Sequence, residues 1–247
     1  RKSKALNKNI NLKTRKNNKK LVNFKKIQIK KIKYDFNGKI IFEDTSLDIK
    51  NNLIYGVTGE SGSGKTTLFN LLIGFLNPTK GQILIDSKKL NSVKNEWQNN
   101  LCYIPQDLYL FDDTIEKNIT LGSDKNSDIK KLNKSINISR LNELISKYSK
   151  KIKHKIKNSG IDISGGQRQR IGIARSLYID RNVIFLDETT NALDSKTEEI
   201  ILKGLRKEFK NKTVFIISHS KDLYKYVDKL INIKNNKIQI TDTNARH

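Results

Sequence analysis

The sequence predicts an α/β protein, with strands alternating with helices around one sheet and a helical insert interrupting the alternation. Three observations carry this. Residues 53–58 form a short apolar run that leads through a glycine-rich loop into a helical pattern. Residues 183–186 and 214–217 are continuous apolar runs, as expected of strands covered on both faces. Between them, residues 129–149 place apolar side chains at 132, 136, 138, 141, 144 and 145 among polar ones, the spacing of amphipathic helices.

In chain order, residues 1–22 are polar and basic without apolar periodicity and read as a linker. From Phe24 the pattern alternates. Phe24, Ile27, Ile29 and Ile32, then Ile40, Ile41 and Phe42, predict short strands around an Asn37-Gly38 turn, and residues 46–49 alternate again. The strand at 53–58 feeds a helix over 66–75 that Asn77-Pro78 should end, and residues 81–85 return as a strand. Residues 107–164 read as the helical insert, which leaves 23–106 and 165–247 as the two parts of the α/β core. After residues 164–167 a second helix sets Ile171, Ala174, Leu177 and Tyr178 on one face. No internal repeat is visible.

Composition narrows the class. With 36% hydrophobic and 30% charged residues over 247 positions, the chain can bury a sizeable core. Its longest apolar run, 68–76, is interrupted by Asn70 and Gly74 and is too short to span a bilayer. The chain begins at Arg1 and contains no Met, which reads as a piece of a longer protein. Cys102 is the one cysteine; it sits in an apolar stretch and is expected to be a small core residue in a reducing compartment. The formal charge of +24 is uneven: residues 1–34 carry 14 Lys or Arg and no Asp or Glu. That asymmetry favours a basic tether near a membrane, or simple Lys enrichment, over a nucleic-acid surface.

Two motifs bear chemistry. Gly59-Glu60-Ser61-Gly62-Ser63-Gly64-Lys65-Thr66 fits the phosphate loop GxxxxGK[ST] and lies between a strand and a helix, as that loop requires. Its glycines let successive N–H groups point inward as an anion nest, Lys65 would reach the β- and γ-phosphates, and the Thr66 hydroxyl would hold Mg²⁺. Residues 183–188 form a buried strand ending in Asp187 and Glu188. Carboxylates at the C-terminal end of such a strand face the usual ligand crevice, where Asp187 would serve the Mg²⁺ shell and Glu188 the attacking water.

A third element, Ser164-Gly165-Gly166-Gln167, lies 99 residues after Lys65 and 23 before Asp187. Phosphate loop, SGGQ and strand-Asp-Glu in this order and spacing resemble the ATP-binding cassette (ABC) family over residues 24–240. The resemblance implies a P-loop NTPase core with a RecA-like, mainly parallel sheet, an antiparallel β subdomain and an inserted α-helical subdomain. It implies ATP and Mg²⁺ as cofactors, with Gly59, Ser61, Gly62, Ser63, Gly64, Lys65, Thr66 and Thr67 around the phosphates. Ser164, Gly165, Gly166 and Gln167 would cap the nucleotide of a second such domain in a head-to-tail sandwich dimer, with a homodimer expected. Gln106 would sense Mg²⁺ and water, Asp194 would close the loop that crosses the dimer interface, and His219 would contact the γ-phosphate and Glu188. Phe36 aligns with the aromatic that stacks on adenine, with Tyr34 close enough to compete. Three departures stand out: Asn158 where a glutamate is often found, Asn191 in place of the usual Ser, and Ser220 rather than Arg after His219.

Residues 107–122, reading DLYLFDDTIEKNITLG, resemble exporters, as do Trp97-Gln98 and the basic amino-terminal linker. The resemblance implies an ATP-hydrolysing motor on the cytoplasmic face of a membrane, the bacterial inner membrane, fused downstream of a transmembrane domain. Among exporters it is most like flippases of lipid-linked oligosaccharides and exporters of polysaccharides or lipids. Two alternatives differ in class: a separate ATPase subunit of an importer, and a soluble ABC ATPase acting on nucleic acid or ribosomes. Nucleic acid is not the expected partner, since 99 residues between phosphate loop and SGGQ leave no room for a long coiled coil.

Overall fold

The computed structural model describes residues 24–122, 128–157, 160–161, 163–220 and 222–243. The basic linker and Asn158 lie outside them. Chain order runs β1 (Lys26–Phe36), β2 (Lys39–Lys50), β3 (Ile54–Gly59), α1 (Lys65–Ile73), β4 (Lys80–Ile85), β5 (Lys88–Lys89), α2 (Lys94–Asn99) and β6 (Leu101–Ile104). It continues with α3 (Ile115–Thr120), α4 (Ile129–Ile138), α5 (Asn142–Ser146), α6 (Gly165–Ile179), β7 (Val183–Asp187), α7 (Ser195–Glu208), β8 (Thr213–Ile217), β9 (Lys229–Lys234) and β10 (Lys237–Asp242). No helix among the described residues is long and apolar enough to cross a membrane.

Two sheets result. The larger runs β10-β9-β3-β8-β7-β6, parallel from β9 to β6 with β10 antiparallel at its edge. The smaller, antiparallel sheet runs β2-β1-β4-β5. Strand side chains alternate between faces, and this divides the core. Ile184, Leu186, Val214 and Ile216 face one cluster together with α6, α7 and the helical insert. Val183, Phe185, Phe215 and Ile217 face the other, shared with α1 and the smaller sheet. Every residue of β7 and β8 is buried, which is why their sequences carry no polar alternation. Phe185 lies at the centre of the second cluster, stacked on Phe215 at 4.7 Å and edge-on to Phe69 of α1 at 5.0 Å. That contact fixes α1 against the strand whose end carries the two acids.

The structure corrects several element boundaries. The helix after the phosphate loop ends at Gly74, in left-handed conformation at φ 83°, before Asn77-Pro78 is reached. The two strand fragments expected at 40–42 and 46–49 are one strand, β2, because a bulge around Asp44 (φ 43°) absorbs the break in alternation. The helix α7 and the hairpin β9–β10 had no sequence assignment. Cys102 is buried on β6 as expected, and burial pushes its thiol up to about 12.

Candidate active site

The end of α1 is left open by its own sequence. The long helices α4, α6 and α7 are capped by the side chains of Asp128, Ser164 and Asp194. At α1 the capping position is Gly64, which has no side chain to accept the first amides, and no acid lies in the first turn. Helical N–H groups in that position look for an external acceptor and favour an anion. Gly64 cannot be otherwise: its φ is 102°, and a Cβ would sit 2.6 Å from Ile41 and 3.0 Å from the Phe42 ring. The same contact holds β2, and through it the β1–β2 hairpin, beside the loop. Lys65 is almost fully buried and donates from Nζ to the carbonyls of Gly59 and Glu60, 3.0 Å each. Ser63 Oγ is a buried hydroxyl without a protein partner, in the middle of this cradle.

The strand end meets the loop. Thr66 donates from its hydroxyl to Asp187 Oδ1 at 3.3 Å, and Tyr103 donates its phenol proton to Asp187 Oδ2 at 3.2 Å. Burial pushes the Asp187 carboxyl above the usual range; the hydrogen bonds from Thr66 and Tyr103 oppose it, neighbouring Glu188 adds to it, and Lys65 opposes it. Asp187 and Thr66 are hard oxygen donors side by side next to an anion cradle, a donor set that suits Mg²⁺ shared with phosphate oxygens. Tyr103 was missed by sequence reasoning. Its only signal is position, on β6 next to β7, where Tyr103 pairs with Phe185.

Glu188 follows directly, held at φ 51° in the left-handed region with its N–H donating to Ile217 O at 3.0 Å. That backbone turn carries its carboxylate away from Asp187 and toward the end of β8. There Oε1 lies 3.2 Å from His219 Nε2 and Oε2 accepts from Asn191 Nδ2 at 2.9 Å. With its ring proton on Nε2, His219 donates to this carboxylate. Gln169 of α6 adds a link not foreseen from sequence: it donates to the Glu188 carbonyl at 3.0 Å and accepts from the Ala192 amide at 2.8 Å.

The remaining residues fall into place unequally. Ser164 and Gln167 form a reciprocal capping box at the start of α6, with distances of 3.3 and 3.1 Å. Gly166 packs so closely on the neighbouring loop that a Cβ would lie 2.8 Å from the Ala192 carbonyl. Asp194 accepts from the Thr197 amide as the cap of α7, and hydrogen bonds from the Thr197 hydroxyl and then its amide hold the carboxyl below the usual range. Gln106 is exposed and shares a cleft of about 600 Å³ with Gly165, Gln169 and Asn191. Of the two candidate aromatics, Phe36 is 62% exposed at the hairpin tip, whereas Tyr34 is 9% exposed and part of the core. Gly59, Ser61, Gly62 and Thr67 all lie in or just after the phosphate loop, within reach of the same cradle.

A family model described as ABC transporter matches residues 42–191, from the strand behind the phosphate loop to the residue after the two acids and threonines. The chain belongs to the ABC transporter family. An export ATP-binding/permease protein of Rickettsia prowazekii is 35% identical over 197 residues, covering 78% of this chain and 34% of the relative. An ATP-dependent lipid A-core flippase of Cupriavidus pinatubonensis is 32% identical over 188 residues, covering 75% and 32%. A bacterial Atm1-family ABC exporter with ATP bound superposes with a TM-score of 0.83 at 26% identity, over 91% of this chain and 40% of that one. The chain thus spans about a third of the length of the curated relatives it matches. It is an ATP-binding ABC domain of the ATPase class.

Proposed function

We propose that this ABC domain is the motor of an exporter, hydrolysing ATP at the site built by the phosphate loop, Asp187, Glu188 and His219. The observation that carries this is the divergence of two consecutive acids: Asp187 turns to Thr66 of the loop, and Glu188 to His219. The pair thereby separates a cation-side carboxylate from a water-side one. Lys65 and the open amides of α1 hold the β- and γ-phosphates, Phe36 stacks on the adenine, and Glu188 accepts the proton of the attacking water with His219 orienting it. Thr66 and Asp187, with Gln106, would hold Mg²⁺, which would supply charge neutralisation for the phosphates.

Ser164, Gly166 and the start of α6 serve the nucleotide of a second domain, so two ATP are enclosed between two copies. Supporting the exporter reading, the relatives named above are an export ATP-binding/permease protein and a lipid A-core flippase. The cargo is accordingly a lipid or lipid-linked saccharide, moved by a transmembrane domain fused upstream, with this domain on the cytoplasmic face of the membrane. In the full-length protein, Glu188→Gln should reduce turnover at least about 100-fold, the scale of a lost general base, while an ATP-dependent closed dimer accumulates. Normal hydrolysis by that variant would overturn the assignment.

A further inference from the structure

We infer that Asn191 is a positioning residue for hydrolysis in this chain, tying Glu188 and the His219 loop into one hydrogen-bonded ring; this rests on the reading of Glu188 as the base. Three contacts define the ring. Asn191 Nδ2 donates to Glu188 Oε2 at 2.9 Å, the His219 backbone N–H donates to Asn191 Oδ1 at 3.5 Å, and His219 Nε2 lies 3.2 Å from Glu188 Oε1. The Asn191 N–H also donates to the Glu188 carbonyl at 3.3 Å.

The need for such a tether follows from the backbone. Glu188 sits in the left-handed region, which is unfavourable for a non-glycine residue and persists only where its surroundings over-determine it. A glutamate side chain on that turn has three free torsions, so its carboxylate must be aimed by contacts. Asn191 takes one oxygen and His219 the other. Each carboxylate oxygen can accept two hydrogen bonds and has one side-chain partner here among the described residues. An amide supplies both functions from one side chain: one end donates to the carboxylate while the other accepts from the His219 N–H. A serine side chain is shorter than this amide, and an aspartate has the same shape but, when ionised, offers no donor and sets a second negative charge beside Glu188. The ring is therefore a consequence of the Asn191 departure noted in the sequence. Gln169 anchors the next residue, Ala192, and ties this loop to the Glu188 carbonyl as well.

The test compares Asn191→Ala and Asn191→Asp with wild type in the full-length protein. Loss of one hydrogen bond to a charged group should lower kcat about tenfold in both variants. KM for ATP and the melting temperature should stay unchanged, and the ATP-closed dimer should live about tenfold longer. Wild-type kcat in the isosteric Asp variant would overturn the inference, since shape and not the donor would then suffice. A rise in KM without a fall in kcat would overturn it too, by moving the role of Asn191 to nucleotide binding. Should the Ala variant fold poorly, the Asp variant decides alone. Glu188→Gln is measured alongside: activity in that variant removes the base assignment itself, whereas an inactive Glu188→Gln with fully active Asn191 variants removes only the role given to Asn191.

Discussion

Glu188 Oε1 and His219 Nε2 lie 3.2 Å apart although the two residues follow different strands, β7 and β8. Parallel pairing of these strands, with Asp187 opposite Ile217, brings the residues just beyond both ends together. His219→Ala should therefore lower kcat by at least about tenfold, with ATP affinity far less affected, because the imidazole aims Glu188. Steady-state kinetics beside a direct ATP-binding titration checks the split; equal losses in both would mean that His219 acts mainly in binding.

Lys65 is the buried cation of the loop, shared between two carbonyls. Lys65→Ala should weaken ATP binding about ten- to 100-fold, the scale of a lost charge-assisted hydrogen bond. Calorimetric titration reads this directly, and tight binding by the variant would count against the phosphate-loop assignment.

Gly64→Ala should destabilise the fold by about 1–3 kcal/mol through its positive φ, with more from the clash with Ile41 and Phe42. The same substitution should weaken ATP binding, since the end of α1 would be displaced. Urea denaturation and a binding titration test both.

Phe36 and Tyr34 should separate cleanly. Phe36→Ala removes an exposed ring, so stability should change by less than about 0.5 kcal/mol while ATP affinity falls about three- to tenfold. Tyr34→Ala opens the core and should cost about 3–5 kcal/mol of stability. The opposite pattern would assign adenine stacking to Tyr34.

Cys102 provides a pH test. Its thiol is pushed up to about 12 in the folded chain, against about 8.5 unfolded. The folded state therefore binds more protons above the unfolded value. The stabilisation is full below pH of about 8.5 and is lost as pH rises toward 12. Cys102 should resist alkylation at pH 8.5 in the native protein and react once the chain is unfolded; rapid native labelling would contradict its burial.

Much of this protein was decided along the chain. The phosphate loop, the SGGQ box and the strand ending in Asp187 and Glu188 are contiguous, and each prescribes local geometry: Gly64 leaves a helix end uncapped, Ser164 and Gln167 cap another, and β7 is apolar because both faces are covered. Such features depend on near neighbours in sequence, so they are legible there together with the family they resemble. What the sequence left open involved residues far apart in the chain. Nothing in the linear order says that Tyr103 reaches Asp187 across 84 positions, or that Tyr34 is core and Phe36 is free. Nor does it show that Asn191 joins Glu188 to His219 or that Gln169 braces the same loop. Strand order, a register in which Asp187 faces Ile217, and the left-handed turn at Glu188 decide those contacts. The physical reason is that side-chain chemistry acts over about 3 Å, and only tertiary packing brings groups from separate strands within that range.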